Sequence, residues 1–178
     1  MLYMFLAEGF EETEAIGALD VIRRAHIEIR TVGIGGLEIE GAHGVKIIAD
    51  IEEKDFSPSD IEGVILPGGM PGTTNLEKNK TVIDAVKICN EKKALIAAIC
   101  AAPMIFGKLG MLDGKKAVCY PGFEKYLEGA EISEEPVAVD NNIITGKGAG
   151  AAMLFGAAIV NFFKSGVGDK ILSEMQHR

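Results

Sequence analysis

The stretch Ala94-Leu95-Ile96-Ala97-Ala98-Ile99-Cys100-Ala101-Ala102-Pro103 places the tightest constraint on how this chain can fold. Residues 94–99 form an apolar run with the length and bounds of a fully buried strand. The run stops at Cys100 and small residues follow. Pro103 then opens Met104-Ile105-Phe106-Gly107-Lys108-Leu109, which reads as a helix start. Proline is tolerated in a first helical turn, because its missing N–H has no intrahelical partner there. Cys100 therefore falls at a strand-to-helix turn, where the flanking alanines allow a tight bend. A helix N-terminus beside a thiol favours the thiolate. A free cysteine is also among the most buried residue types and packs as a small hydrophobe. The local sequence leaves both readings open.

The rest of the chain repeats this alternation. Residues 2–7 read as a first buried strand, followed by Glu11-Glu12-Thr13-Glu14 and the helical spacing Ala15, Ile16, Leu19, Ile22. Acidic residues in a first turn and Arg23-Arg24 in the last complement the helix dipole, which is an ordinary structural role for all of them. Residues 27–34 give a second strand. Residues 37–40 and 45–48 suggest a hairpin broken by Gly41-Ala42-His43-Gly44, with His43 facing solvent. Val64-Ile65-Leu66 is a third buried strand, ending in Pro67-Gly68-Gly69-Met70-Pro71-Gly72. This turn lacks both G-x-G-x-x-G and the Lys-Ser/Thr ending of a P-loop. Its glycines allow positive φ and close backbone approach.

A helix over 81–92 places Cys89 in the core. Residues 116–120 predict a further strand, 123–127 a brief helix, and 137–139 with 142–145 a hairpin turning at Asp140-Asn141. Gly146-Lys147-Gly148-Ala149-Gly150 precedes an apolar helix over 151–163, and 169–178 form a short amphipathic helix with His177 frayed. Strands alternating with helices predict a mostly parallel sheet covered on both faces. Sites in such sheets lie beyond the carboxyl ends of the strands. Residues 8–14, 67–72, 100–103, 120–122 and 146–150 would meet there if their strands are parallel and adjacent.

With 178 residues, one domain spanning 1–178 is expected. A net charge of −8 argues against a nucleic-acid surface, which needs clustered Lys and Arg. No apolar run reaches the length of a membrane span, and the N-terminus lacks a basic signal region. Three cysteines fit a reducing compartment better than a disulfide scaffold, so a cytoplasmic location is expected. No Cys/His cluster has metal-ligand spacing.

Four segments together resemble a known family. They are Ala7-Glu8-Gly9-Phe10-Glu11-Glu12-Thr13-Glu14, Leu66-Pro67-Gly68-Gly69-Met70-Pro71-Gly72, Ala97-Ala98-Ile99-Cys100-Ala101-Ala102-Pro103 and Thr145-Gly146-Lys147-Gly148-Ala149-Gly150. In this order they resemble the ThiJ/PfpI superfamily (class I glutamine amidotransferase-like), in the branch named for the parkinsonism-associated deglycase. The resemblance implies a flavodoxin-like three-layer sandwich, a homodimer and no cofactor. It implies a nucleophile elbow at Cys100, with Glu14 as its protonated partner. It implies oxyanion-binding amides near Gly69 and Ala101, and a site lined by Gly68, Tyr120 and Arg24, the last near a dimer interface. The implied substrates are reactive aldehydes such as methylglyoxal, or glycated adducts, handled through a hemithioacetal at Cys100. A stress sensor or chaperone working through Cys100 oxidation is the alternative. Many members carry a histidine where Tyr120 stands here, and a phenol, with an ordinary pKa of about 10, is a poor base at neutral pH. Activation is then expected from the helix terminus and Glu14. Cys119, next to Tyr120, is either a core residue or a resolving thiol, the core role being favoured. A peptidase role is disfavoured, because that branch needs a histidine directly after the cysteine, where Ala101 stands.

Overall fold

The computed structural model describes residues 1–177. In chain order the elements are β1 (Leu2–Leu6), α1 (Glu12–Arg24), β2 (Ile29–Gly33), β3 (Glu38–Glu40), β4 (Lys46–Ile48), β5 (Ile51–Glu52), β6 (Gly63–Leu66), α2 (Gly72–Lys78), α3 (Lys80–Glu91), β7 (Leu95–Ile99), α4 (Pro103–Lys108), β8 (Lys116–Ala117), β9 (Glu131–Ile132), β10 (Val137–Asp140), β11 (Ile143–Gly146), α5 (Ala152–Phe163) and α6 (Val167–Glu174). The main sheet runs β10-β11-β7-β6-β1-β2-β5. Every pairing in it is parallel except β10 with β11. Helices cover both faces, giving the expected flavodoxin-like sandwich.

The strand sequences explain why both faces are covered. Along β1, Leu2, Met4 and Leu6 join one core with α1 and α5, while Tyr3 and Phe5 join a second core with α3 and α4. Side chains alternate across a strand, so an apolar run with no polar face must be buried twice. The interior strand β7 divides in the same way: Leu95, Ala97 and Ile99 go to the first core, Ile96 and Ala98 to the second.

The sheet order brings the carboxyl ends of β1, β6, β7 and β11 to one edge as neighbours, which is where the sequence placed the candidate residues. The 37–48 hairpin forms as β3 and β4, antiparallel. The 116–120 strand is corrected. Only Lys116–Ala117 is extended, and it pairs with Glu131–Ile132 outside the main sheet. Beyond it the backbone turns to other partners: the Val118 N–H donates to Thr145 Oγ1 at 2.9 Å and the Tyr120 N–H to the Cys100 carbonyl at 2.8 Å. Helix α2 was not expected from sequence, because Gly72-Thr73-Thr74-Asn75 carries no apolar period. The tail helix runs over Val167–Glu174, ahead of its expected range, and the His177 N–H donates to the Leu172 carbonyl at 3.0 Å instead of fraying. Arg178 lies outside the described residues.

Candidate functional site

Cys100 follows β7 with φ +66, in the left-handed region. A non-glycine residue held there carries strain of about 1–3 kcal/mol, and such residues cluster at functional sites. The conformation has a visible consequence. Alternation along β7 would send Cys100 to the second core, yet it packs against the first. The left-handed turn breaks the pleat and swings the thiol to the face that carries α1. Cys100 is half-buried, whereas Cys89 and Cys119 are buried. Both of those belong to the opposite core, where Cys119 packs, while the Cys100 thiol packs against the first core.

Glu14 reaches the same place from the first turn of α1. It is 1% exposed. Its position is fixed by Glu11, which caps the helix by accepting the Glu14 N–H at 2.7 Å. The side chain of Glu14 accepts the Gly68 N–H on Oε2 at 2.8 Å, while Oε1 is buried with no hydrogen-bond partner. Gly68 must be glycine. A Cβ there would lie 2.6 Å from both the Cys100 Cβ and Glu14 Oε2. Gly69 adopts φ +87, which turns the 67–72 loop over the site.

The electrostatics couple the two groups. Burial first, then the Glu14 charge and hydrogen bond, push the Cys100 thiol up to about 12, against the pull of the Gly69 and Ala101 amides. Burial pushes the Glu14 carboxyl up to about 7, against hydrogen bonds from Cys100 and Gly68, with the Glu11 charge adding a further rise. The sequence expectation of a thiolate set by a helix dipole is therefore corrected. Helix α4 has only 6 residues and starts at Pro103, while the thiol is partly desolvated and sits beside an acid. Above about 7 and below about 12 the pair holds one proton between sulfur and carboxyl. The pull of the Gly69 and Ala101 amides is smaller than the opposing effects of burial and Glu14, so the thiol stays raised.

Cys100, Glu14, Gly68, Gly69 and Ala101 are thus brought together. Tyr120 is joined to Cys100 through the backbone, and the residue is 51% exposed. Arg24 is not brought there. It lies ten residues beyond Glu14 on α1, about 15 Å along the axis, and pairs with Asp20 at 2.8 Å. Glu12 and His43, which sequence reasoning gave only separate surface roles, form a clasp beside the site. Glu12 Oε1 accepts the His43 N–H at 2.7 Å, and Oε2 meets His43 Nδ1 at 2.9 Å. Glu11, Glu12 and His43 offer atoms within 4.8 Å of one another. Their hydrogen bonds to helix cap and hairpin account for the cluster without an ion.

A mostly parallel sheet with a left-handed cysteine at the end of an interior strand, beside a buried carboxyl, defines a class: flavodoxin-like α/β proteins with a thiol site at the carboxyl edge. The profile of the DJ-1/PfpI family matches residues 1–162. The chain belongs to the DJ-1/PfpI family. It is 37% identical over 158 residues to the Arabidopsis thaliana protein DJ-1 homolog B, covering 87% of this chain and 36% of that one. The chain thus spans little more than a third of that plant relative. It is 35% identical over 164 residues to the Parkinson disease protein 7 homolog of Danio rerio, covering 88% of this chain and 86% of that one. A solved structure of oxidized Toxoplasma gondii DJ-1 superposes with a TM-score of 0.93 at 28% identity, covering 98% of this chain and 97% of the other. Among the described residues no helix is long and apolar enough to cross a membrane.

Proposed function

We propose that the protein is a cofactor-independent cysteine enzyme acting on reactive dicarbonyls such as methylglyoxal, or on their early adducts with amines. The reading is carried by one observation: the buried Glu14 carboxyl, held on Oε2 by the Gly68 N–H with Oε1 unpartnered, beside the half-buried Cys100 thiol. A carboxyl with a pKa raised to about 7 gives and takes protons near neutrality. The thiolate adds to the aldehyde carbon and the carbonyl oxygen takes up a proton, giving a hemithioacetal. Glu14 removes the proton from that carbon and returns it to the neighbouring one, while the hydroxyl proton passes to the neighbouring oxygen, converting the hemithioacetal into a thioester of the hydroxy acid. Water cleaves the thioester, releasing the hydroxy acid and restoring the thiol. The Gly69 and Ala101 amides stabilise developing negative charge on sulfur and oxygen. The proposal includes a homodimer, whose interface would take in the exposed Ile16 of α1 with Val45 and Ile48 of the hairpin. Three free thiols suit a reducing compartment such as the cytoplasm.

Lactate formation from methylglyoxal without glutathione tests the reading. Cys100→Ala is expected to fall to background with unchanged far-UV circular dichroism. Glu14→Gln is expected to lose about 100-fold or more. Full turnover in either variant would remove the mechanism. A second reading, a peroxide sensor, is favoured by the contrast between the half-buried Cys100 and the buried Cys89 and Cys119. There, peroxide oxidises the Cys100 thiolate in two steps to a sulfinate, releasing one water per peroxide, and protonated Glu14 donates to it. Peroxide-dependent gain of two oxygens on Cys100 alone, without lactate formation by the reduced protein, would select it.

A further inference from the structure

A cavity beside the Tyr120 turn is left unused by this chemistry. It has a volume of about 400 Å³ and lies between the Tyr120 turn and the entrance to α5, walled by Tyr120, Pro121, Pro136, Gly148, Ala149 and Ala151. Both walls are tied to Cys100 through the backbone. The Tyr120 N–H donates to the Cys100 carbonyl at 2.8 Å, and the Cys100 N–H donates to the Gly146 carbonyl at 2.9 Å. The thiol and Phe155 of α5 also belong to the same core, so Cys100 and the segment leading into α5 share one side of the sheet. The Tyr120 ring crosses over Gly148, where an added Cβ would lie 3.4 Å from Cδ2. That glycine leaves room beside the ring. Lys147 also borders the cavity, but it is exposed and sets its ammonium 3.5 Å from the Glu134 carbonyl, so the walls themselves stay apolar.

A three-carbon dicarbonyl fills little of such a space, which has the size of a site for a larger organic ligand. The aromatic ring of an exposed tyrosine, beside two prolines and small residues, offers a flat apolar slot. Planar rings stack or pack edge-to-face in such a slot with more stabilisation than area alone provides. We propose that this cavity receives an aromatic substituent on the substrate, making arylglyoxals and their adducts the preferred class over methylglyoxal. The inference rests on Cys100 being the nucleophile.

Alkylation of Cys100 separates the two ideas without requiring turnover. Phenacyl chloride and chloroacetone react alike: the thiolate sulfur bonds to the CH₂ carbon, the C–Cl bond breaks and chloride leaves. They differ in carrying phenyl or methyl. Rates at Cys100, followed by peptide mass and divided by those of a small free thiol, give the preference due to the protein. We expect phenacyl chloride to be favoured by about tenfold or more in the wild type. Ala149→Phe, which fills the cavity, and Tyr120→Ala, which removes its aromatic wall, should each abolish the preference. Tyr120→Phe should keep it, and this variant retains a reading if Ala149→Phe fails to fold. A free-thiol ratio in the wild type, or a preference that survives Tyr120→Ala, overturns the inference and leaves the nucleophile standing. A Cys100 that neither reagent modifies overturns both.

Discussion

At the scale of single residues, Glu14 is the group whose energetics are most exposed to test. Its carboxyl is raised from 4.5 to about 7, so between those values the folded protein holds a proton that the unfolded chain has released. Stability is therefore greatest below the unfolded value and falls as pH rises from about 4.5 to about 7. The loss is bounded at about 3 kcal/mol, from the conversion of pKa shift to free energy. Glu14→Gln carries no such proton and is expected to flatten this slope and to exceed the wild type in stability at pH 8. Urea denaturation at pH 5 and pH 8 measures both, and equal slopes in the two proteins would contradict the assignment. Cys100 was legible in the sequence as a strand-end cysteine, whereas Glu14 read locally as an ordinary acidic helix start and was singled out only by the family resemblance. The left-handed turn that brings them to one face was not legible. It depends on Gly68 leaving room for the Cys100 Cβ, a contact 32 residues away in sequence. The role of Glu11 had a signal that went unused: a polar side chain three residues before the amide it caps.

At the scale of elements, the β3–β4 hairpin is fastened to α1 by His43 and Glu12. The Glu12 hydrogen bond, then its charge, raise the His43 pKa. Burial alone would raise the Glu12 carboxyl, but hydrogen bonds from the His43 ring and from the His43 and Val45 amides bring it below the ordinary value. A histidine with a raised folded pKa stabilises the fold below its unfolded value, and that contribution is lost as pH rises through the folded value. Backbone amides of residues 41–46 are therefore expected to exchange more slowly, relative to the intrinsic rate, at pH 6 than at pH 8.5. His43→Ala should remove the difference, and unchanged protection in that variant would show that the clasp does not hold the hairpin. The hairpin itself was readable from two apolar–polar alternations around a glycine turn. The 116–120 segment was misread because its alternation is strand-like, while its amides are taken by Thr145 Oγ1 and the Cys100 carbonyl in place of a ladder.

At the scale of the whole molecule, the order of the sheet places four parallel strand ends side by side, and the chemistry follows from that placement. The alternation of apolar runs with helical patterns was enough to read the layers. It could not give the strand order, which is set by long-range packing. The proposed dimer also belongs to this scale. Ile16, Val45 and Ile48 are 41%, 52% and 68% exposed. Sedimentation velocity is expected to give a dimer for the wild type, and Ile16→Glu with Ile48→Glu should shift it to monomer. A monomeric wild type would remove this part of the account. The central claim, that Cys100 and Glu14 share one proton, is tested most directly by the pH dependence of Cys100 alkylation with iodoacetamide. The account predicts a rate that keeps rising well above the ordinary thiol value in the wild type, because Glu14 holds the thiol up, and a midpoint displaced downward in Glu14→Gln. A midpoint at the ordinary thiol value of about 8.5, unmoved by that substitution, would contradict it.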